Sequence, residues 1–368
     1  MVTHPDKADV PTTAQIPAAV ERELEKFFTE HGHSVDIIGP PVSEAVEHLR
    51  TFVLGGGKRI RPTFGWVGFV GANGLENTEE DPAAVLCAVS SLEFIQACAL
   101  IHDDIIDASA TRRGNPTVHV AAAHSHREHN WLGDSDKFGE SLAILVGDLA
   151  LVWADDMWHH SGLSHAALLR ASDPWRGMRT EVIGGQILDV SLEAAGCESE
   201  ELANAVNRFK TAAYTIERPL HLGAAIAGAD DDTIAALRGY GHDIGIAFQL
   251  RDDILGVFGD PEVTGKPAGD DLREGKRTVL YSRALQAADE RDPAAAQRLR
   301  DGIGTALTPD EIAELSGIIR ETGAVEDVEK RIDELTESGL AHVRGAALSP
   351  EAVETLETLA VNATARRM

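Results

Sequence analysis

The chain has 368 residues, 43% hydrophobic and 25% charged, with 60 acidic against 33 basic side chains and a formal charge of −27. That size and composition suit a globular protein with a large core, and the charge argues against nucleic acid as a partner. It leaves anionic substrates open, because local Lys and Arg clusters or bound metal can hold them. The three cysteines, Cys87, Cys98 and Cys197, form no C-x-x-C pair and read as small buried residues in a reducing cytosol. No apolar run reaches the roughly 18 residues of a membrane span, and the polar first 17 residues hold no signal-peptide core. The expectation is a cytoplasmic protein that is not integral to a membrane, with a disordered segment over 1–17 and one all-α domain over 18–368.

Val20–His31 and Val42–Leu54 have helical periodicity, broken by GHSVDIIGPP at 32–41. The second helix runs into GGGKRIRP, Gly55–Pro62. Its three glycines free the backbone to approach a ligand, and Lys58, Arg59 and Arg61 are expected to point at it; the bland reading is a basic turn. Thr63–Ala72 and Pro82–Ala110 follow as helices. Within the latter, Leu92–Asp107 contains neither proline nor glycine and is dense in apolar residues. Asp103 and Asp107 fall on one helical face, with Asp104 about 100° away. Three carboxylates crowded at a helix end make sense if a hard cation sits there, and Mg²⁺ takes one or two carboxylates plus phosphate oxygens. Arg112 and Arg113 add donors suited to phosphate.

The polar stretch Ala123–Gly139 reads as a loop. His119, His124, His126 and His129 number enough for a metal site but lack matching Cys or Asp spacing, so a solvated loop is favoured over zinc. Ser141–His160 and Met178–Glu193 are helical, the second carrying Gln186 and Asp189. Arg208–Ala227 reads as helix kinked at Pro219. Helices continue over Thr233–Val257, over Arg277–Ala287 and on to the C-terminus. FQLRDDILGVFGD repeats the acidic theme at Asp252 and Asp253, 149 residues (252 − 103) after the first set. TGKPAGDDLREGKRT then brings Lys266, Asp270, Asp271 and Lys276. Two acidic helix ends, each followed by cations, suit a site where metals clamp one diphosphate from both sides.

With GGGKRIRP, DDIID followed by RRG, and FQLRDD followed by GKPAGDD in that order over roughly residues 45–290, the chain resembles the trans-isoprenyl diphosphate synthases, or polyprenyl synthetases. Its details are most similar to the bacterial geranylgeranyl diphosphate synthases of that family. The resemblance implies an all-α bundle of ten or more helices around a central cavity, a homodimer, and Mg²⁺-dependent condensation of isopentenyl diphosphate with an allylic diphosphate. By matching motifs, Asp103, Asp104 and Asp107, with Asp252 and Asp253, would hold about three Mg²⁺ on the allylic diphosphate, while Arg112 and Lys266 add charge. Lys58, Arg61 and Arg113 match the pocket for isopentenyl diphosphate, with Gln96 where many members have histidine, and Lys276 joins the substrate-binding cations. Lys210, Thr211 and Gln249 match catalytic positions near the leaving diphosphate and the developing cation. The second motif usually closes with aspartate at its fifth place; here that place is Gly256, and Asp270 or Asp271 would supply the missing oxygens through water. The first motif lacks the two-residue insertion of some bacterial relatives that make the C20 product.

Ala99 and Ile95 lie four and eight residues before Asp103, with Cys98 adjacent. Members that stop at C15 commonly place aromatics at the first of these levels, so Ala99 and Cys98 leave a shaft open. Ile95 and Leu92, about 12 and 17 Å below Asp103, are candidate lower walls. The expected product is geranylgeranyl diphosphate, with farnesyl or longer polyprenyl diphosphates as alternatives. A class I terpene cyclase would share the first motif but would not need GGGKRIRP. A non-catalytic partner subunit would not need its motifs intact.

Overall fold

Prolines and side-chain caps set where the helices begin. Pro17 lies in the first turn of α1 (Ile16–Asp36), and Pro40 and Pro41 open α2 (Pro40–Leu54), positions where a missing N–H costs little. α3 (Ile60–Gly71) and the single turn α4 (Gly74–Asn77) follow. Asp81 caps α5 (Pro82–Ser90), accepting from the Ala83 N–H, and α6 (Leu92–Ile106) continues the path beyond Ser91. A short hairpin, β1 (Thr111–Arg112) with β2 (Asn115–Pro116), leads to α7 (Val118–Glu128), α8 (Ser135–His159) and α9 (His165–Arg170). Next come α10 (Ser172–Ala194), α11 (Glu200–Val206), a π-helix over Asn207–Glu217, α12 (Arg218–Ala227) and α13 (Asp231–Phe258). The rest is α14 (Asp270–Glu274), α15 (Val279–Arg291), α16 (Pro293–Gly302), α17 (Pro309–Glu321), α18 (Ala324–Arg344) and α19 (Pro350–Thr364). The computed structural model describes residues 10–259 and 268–364, and the expected all-α class holds.

The chain forms two compact units, one of residues 1–174 with 219–230, the other of 175–218 with 231–368. In the first, Phe27 and Phe28 of α1, Phe94 of α6 and Trp153 of α8 make an aromatic cluster with ring centroids 5.1 to 6.1 Å apart. Each such pair adds about 0.5–1.5 kcal/mol beyond the area it buries. α3 and α12 meet backbone to backbone. A Cβ on Gly223 would lie 1.9 Å from the Gly65 carbonyl, and one on Gly68 would lie 2.3 Å from that of Leu220.

In the second unit α13 is the axis. Leu250 and Ile254 on it join Leu280, Leu285, Leu315, Ile319, Val328 and Ile332 in one apolar cluster. Tyr240 Oη donates to the Leu356 carbonyl at 2.7 Å, tying α13 to α19. The π-helix seats against small residues: a Cβ on Gly185 would lie 2.3 Å from Lys210 N, and one on Gly245 would lie 2.6 Å from Ala212 Cα. Pro219 follows this run. It has no N–H for the Thr215 carbonyl, as α-helical register would require, and the wider register ends two residues before it, at Glu217. A change of helix type thus stands where a kink at Pro219 is expected.

Three other readings need revision. The histidine-rich stretch is helix α7 followed by a turn, not a loop throughout: His126 is buried and packs on Trp131 and Phe138. α5 and α6 together (Pro82–Ile106) are long and apolar enough to cross a bilayer, but 78% of the apolar window is buried within the protein, as in a core helix. Of the N-terminal segment, residues 1–9 lie outside the described residues, and helical structure begins at Thr13.

Gly223→Ala places a methyl group into the α3 backbone. It is expected to lower unfolding free energy by at least about 2 kcal/mol, read from the urea midpoint; an unchanged midpoint would contradict the contact.

Candidate active site

The glycine-rich loop ends α2 and begins α3. Gly56 and Gly57 have φ of 92° and 142°, and Arg59 is left-handed at φ 49°. Consecutive side chains leave this turn in different senses: Lys58 is exposed, whereas Arg59 is only 5% exposed and turns inward. Arg59 Nη1 lies 2.5 Å from Glu93 Oε2 on α6, and Nη2 donates to the Val53 carbonyl at 2.8 Å. The expectation that Arg59 points at a ligand is therefore corrected, because its charge is claimed by Glu93 inside the protein. Arg61 is buried in the first turn of α3.

Arg113 reaches the same loop from the hairpin. It and Gly114 form a two-residue turn with φ 53° and 77°, both positive as a type I′ turn requires. Arg113 donates to the Gly56 carbonyl, and a Cβ on Gly57 would lie 3.0 Å from its Nη1. Partial burial lowers the Arg113 pKa; the like charges of Arg59, Arg112 and Arg61 pull the same way, against Glu93. An anion would relieve that crowding. Gln96, about one turn beyond Glu93 on α6, is half-buried.

At the far end of α6, Asp104 is 1% exposed and accepts from Arg112 Nε at 2.8 Å, while Arg112 Nη2 lies 3.7 Å from Asp103 Oδ2. Asp107 closes the helix as its cap residue. Asp104 Oδ2 is buried with no hydrogen-bond partner. Burial raises the Asp104 pKa and Arg112 opposes the rise. Below Asp103, Ala99 is half-buried while Ile95 is buried. Cys98 is also buried, its Sγ 3.8 Å from His102 Nδ1, and burial pushes its thiol up to about 12. Leu92 packs towards α3, 3.7 Å from where a Cβ on Gly65 would stand.

The second unit holds the other acidic set, on α13. Asp252 is half-buried and Asp253 is 2% exposed. Gln249 Nε2 donates to Asp253 Oδ1 at 2.8 Å, and Asp253 Oδ2 is buried without a partner. Burial pushes the Asp253 carboxyl up to about 8, with Asp271 and Asp252 adding to the rise and Gln249 opposing it. A Cβ on Gly256 would lie 1.9 Å from Asp271 Oδ2. Of the two aspartates considered for the missing oxygens, Asp271 therefore occupies the space a fifth-place side chain would need. Lys276 Nζ lies 2.6 Å from Glu274 and 3.6 Å from Asp271. Lys210 Nζ lies 2.6 Å from Asp189 Oδ2 on α10, with Thr211 half-buried beside it. Lys266 lies outside the described residues. Glu93 was missed as a site residue, although an acid inside an apolar helix signals a buried partner.

Each acidic set thus contains a buried carboxylate oxygen with no partner, which fits a cation. Among the described residues no three His, Cys, Asp or Glu side chains form a closed cage. Mg²⁺ does not require one, since it keeps waters and takes phosphate oxygens.

The model of the polyprenyl synthetase family matches residues 42–317. The chain belongs to the polyprenyl synthetase family. It is a chain-elongating prenyltransferase, as its motifs imply. This polyprenyl synthetase is 58% identical to a geranylgeranyl pyrophosphate synthase from Corynebacterium glutamicum, crystallised with isoprenyl diphosphate and magnesium. The TM-score is 0.95, and the match covers 97% of this chain and 100% of that one. It is 33% identical to a geranylgeranyl diphosphate synthase of Sulfolobus acidocaldarius over 73% of this chain and 76% of that protein. It is 35% identical to a geranylfarnesyl diphosphate synthase of Aeropyrum pernix over 79% of this chain and 83% of that protein.

Two predictions concern the second acidic set. The Asp253 pKa is raised from 3.8 to about 8, so its contribution to stability is present below the unfolded value and lost as pH rises through the folded one. Metal-free protein should therefore lose stability between about pH 4 and pH 8 more steeply than Asp253→Asn, in denaturant titrations across that range; parallel curves would refute this. Gly256→Asp restores the usual family residue but collides with Asp271. It should lower the unfolding midpoint, and Asp271→Gly on the same background should recover it.

Proposed function

We propose that this polyprenyl synthetase makes geranylgeranyl diphosphate from isopentenyl diphosphate and allylic diphosphates of C5 to C15. The observation that carries the metal-dependent reading is the buried, unpartnered oxygen in each paired-aspartate set, Asp104 Oδ2 and Asp253 Oδ2. In this reading Asp103, Asp104, Asp107, Asp252 and Asp253 hold about three Mg²⁺. When bound, these ions supply Lewis-acid stabilisation of the departing diphosphate. Arg112, Lys266 and Lys276 add positive charge for the same leaving group. Lys58, Arg61, Arg113 and Gln96 bind the diphosphate of isopentenyl diphosphate and set the angle of its double bond.

The allylic C–O bond breaks as diphosphate leaves. The double bond of isopentenyl diphosphate then forms the new C–C bond to the allylic carbon, and the adduct loses a proton to the released diphosphate. Lys210, Thr211 and Gln249 serve near the developing cation; Asp189 fixes Lys210 and Asp253 fixes Gln249. The apolar walls exclude water that would quench the cation.

Product length is assigned to Ala99, with Cys98 and Ile95 behind it. The half-buried Ala99 leaves room where a bulkier side chain would stop growth. The second reading is a longer product, favoured by the similarity to the Aeropyrum protein named for geranylfarnesyl diphosphate. We also propose a homodimer: Ile144, Leu145 and Val152 on α8 are 45%, 63% and 55% exposed, an unusual apolar display for one helix. A cytoplasmic location is in keeping with three free cysteines.

Purified protein incubated with isopentenyl diphosphate, each allylic primer and Mg²⁺ should give mainly C20 product on chromatographic sizing. Absence of any chain elongation would remove the proposal, and C25 would select the second reading. Ala99→Phe should shift the main product towards C15 while total turnover persists; an unchanged distribution would remove Ala99 from the floor.

A further inference from the structure

Arg59 and Glu93 are buried to 4% and 5% side-chain exposure and pair at 2.5 Å. A buried ion pair gives little net stability compared with an apolar pair of the same volume, and in some proteins it instead specifies one arrangement of the chain. Arg59 sits where geometry matters. It takes a left-handed conformation between Lys58 and Arg61 and contacts three helices. Its Nη2 holds the Val53 carbonyl in the last turn of α2, and its Nη1 holds Glu93 of α6. Its own carbonyl accepts from the Thr63 N–H at 3.1 Å and from Thr63 Oγ1 at 2.8 Å in α3. Glu93 keeps a second buried oxygen, Oε1, without a hydrogen-bond partner, and its charge is felt at Arg113 on the other side of the loop.

We propose that Arg59 and Glu93 are a positioning pair for isopentenyl diphosphate: the pair pins the loop so that Lys58 and Arg61, with Arg113 against Gly56, converge on one diphosphate. Neither residue touches substrate. Glu93 neutralises Arg59, so the charge offered to the ligand comes only from the flanking cations, in a fixed arrangement. This rests on the reading that Lys58, Arg61 and Arg113 bind isopentenyl diphosphate.

The test is steady-state kinetics with each substrate varied in turn, on the full chain with Mg²⁺. The double variant Arg59→Met, Glu93→Met removes both charges at similar volume and should stay folded. Its KM for isopentenyl diphosphate should rise at least tenfold, with the KM for the allylic substrate within twofold of wild type. An isopentenyl diphosphate KM within twofold of wild type, or an equal rise in both KM values, overturns the proposal. If the double variant melts early, Arg59→Lys decides. It keeps the charge but cannot make both side-chain contacts, and should raise the same KM about threefold; a wild-type KM overturns the proposal. Lys58→Ala separates the two levels. If it leaves the isopentenyl diphosphate KM unchanged, the underlying reading of the loop has failed. If it raises that KM while the pair variants do not, only the positioning role has failed.

Discussion

Carboxylates taken out of water without a full complement of partners are the constraint on which this structure turns. An unpaired buried carboxylate costs several kcal/mol, and the chain leaves one carboxylate oxygen without a partner at the end of α6 and another on α13. Asp104 is partly relieved by Arg112, whereas the Gln249 amide that donates to Asp253 is neutral, and burial drives Asp253 towards protonation at neutral pH. A fold optimised for stability alone would replace such groups with apolar ones. Their retention makes sense where a divalent cation arrives with an anionic substrate and takes over the missing contacts. The acidic excess of the whole chain is compatible with anionic substrates, because a few local cations suffice to hold them.

Glycines let the backbone come close enough to aim those groups. Gly57 makes room for the Arg113 guanidinium, Gly185 for the backbone of Lys210, and Gly256 for the carboxylate of Asp271. In each case the absence of one Cβ admits a charged residue or its main chain, so these three glycines mark close approach. The π-helix belongs to the same economy: wide and poorly favoured alone, it is held by contact with α10 and α13 and carries Lys210 and Thr211.

Much of this was legible in the residues. Helical periodicity and breakers located most of the long helices, though not α7, α9 or the hairpin, and the paired aspartates with their downstream cations marked both halves of the metal-dependent reading before any fold was known. What stayed hidden was direction. Periodicity places Arg59 in a ligand-facing loop but cannot show that a left-handed φ turns it inward to Glu93. The polar character of Ala123–Gly139 suggested a loop because the burial of His126 against Trp131 and Phe138 is a tertiary effect. Likewise, Gly256 read as a gap in a motif, and only the approach of Asp271 from 15 residues downstream (271 − 256) shows what uses the space.

Cys98 beside His102 superficially has the makings of a nucleophile and its base. Burial pushes that thiol up to about 12, so it stays protonated at neutral pH. Burial likewise pushes the half-buried Cys87 thiol up to about 11. Alkylating reagents and mild peroxide should therefore find little to attack at either sulfur, and a protein handling reactive electrophilic intermediates keeps these two protonated thiols from being alkylated by its own chemistry.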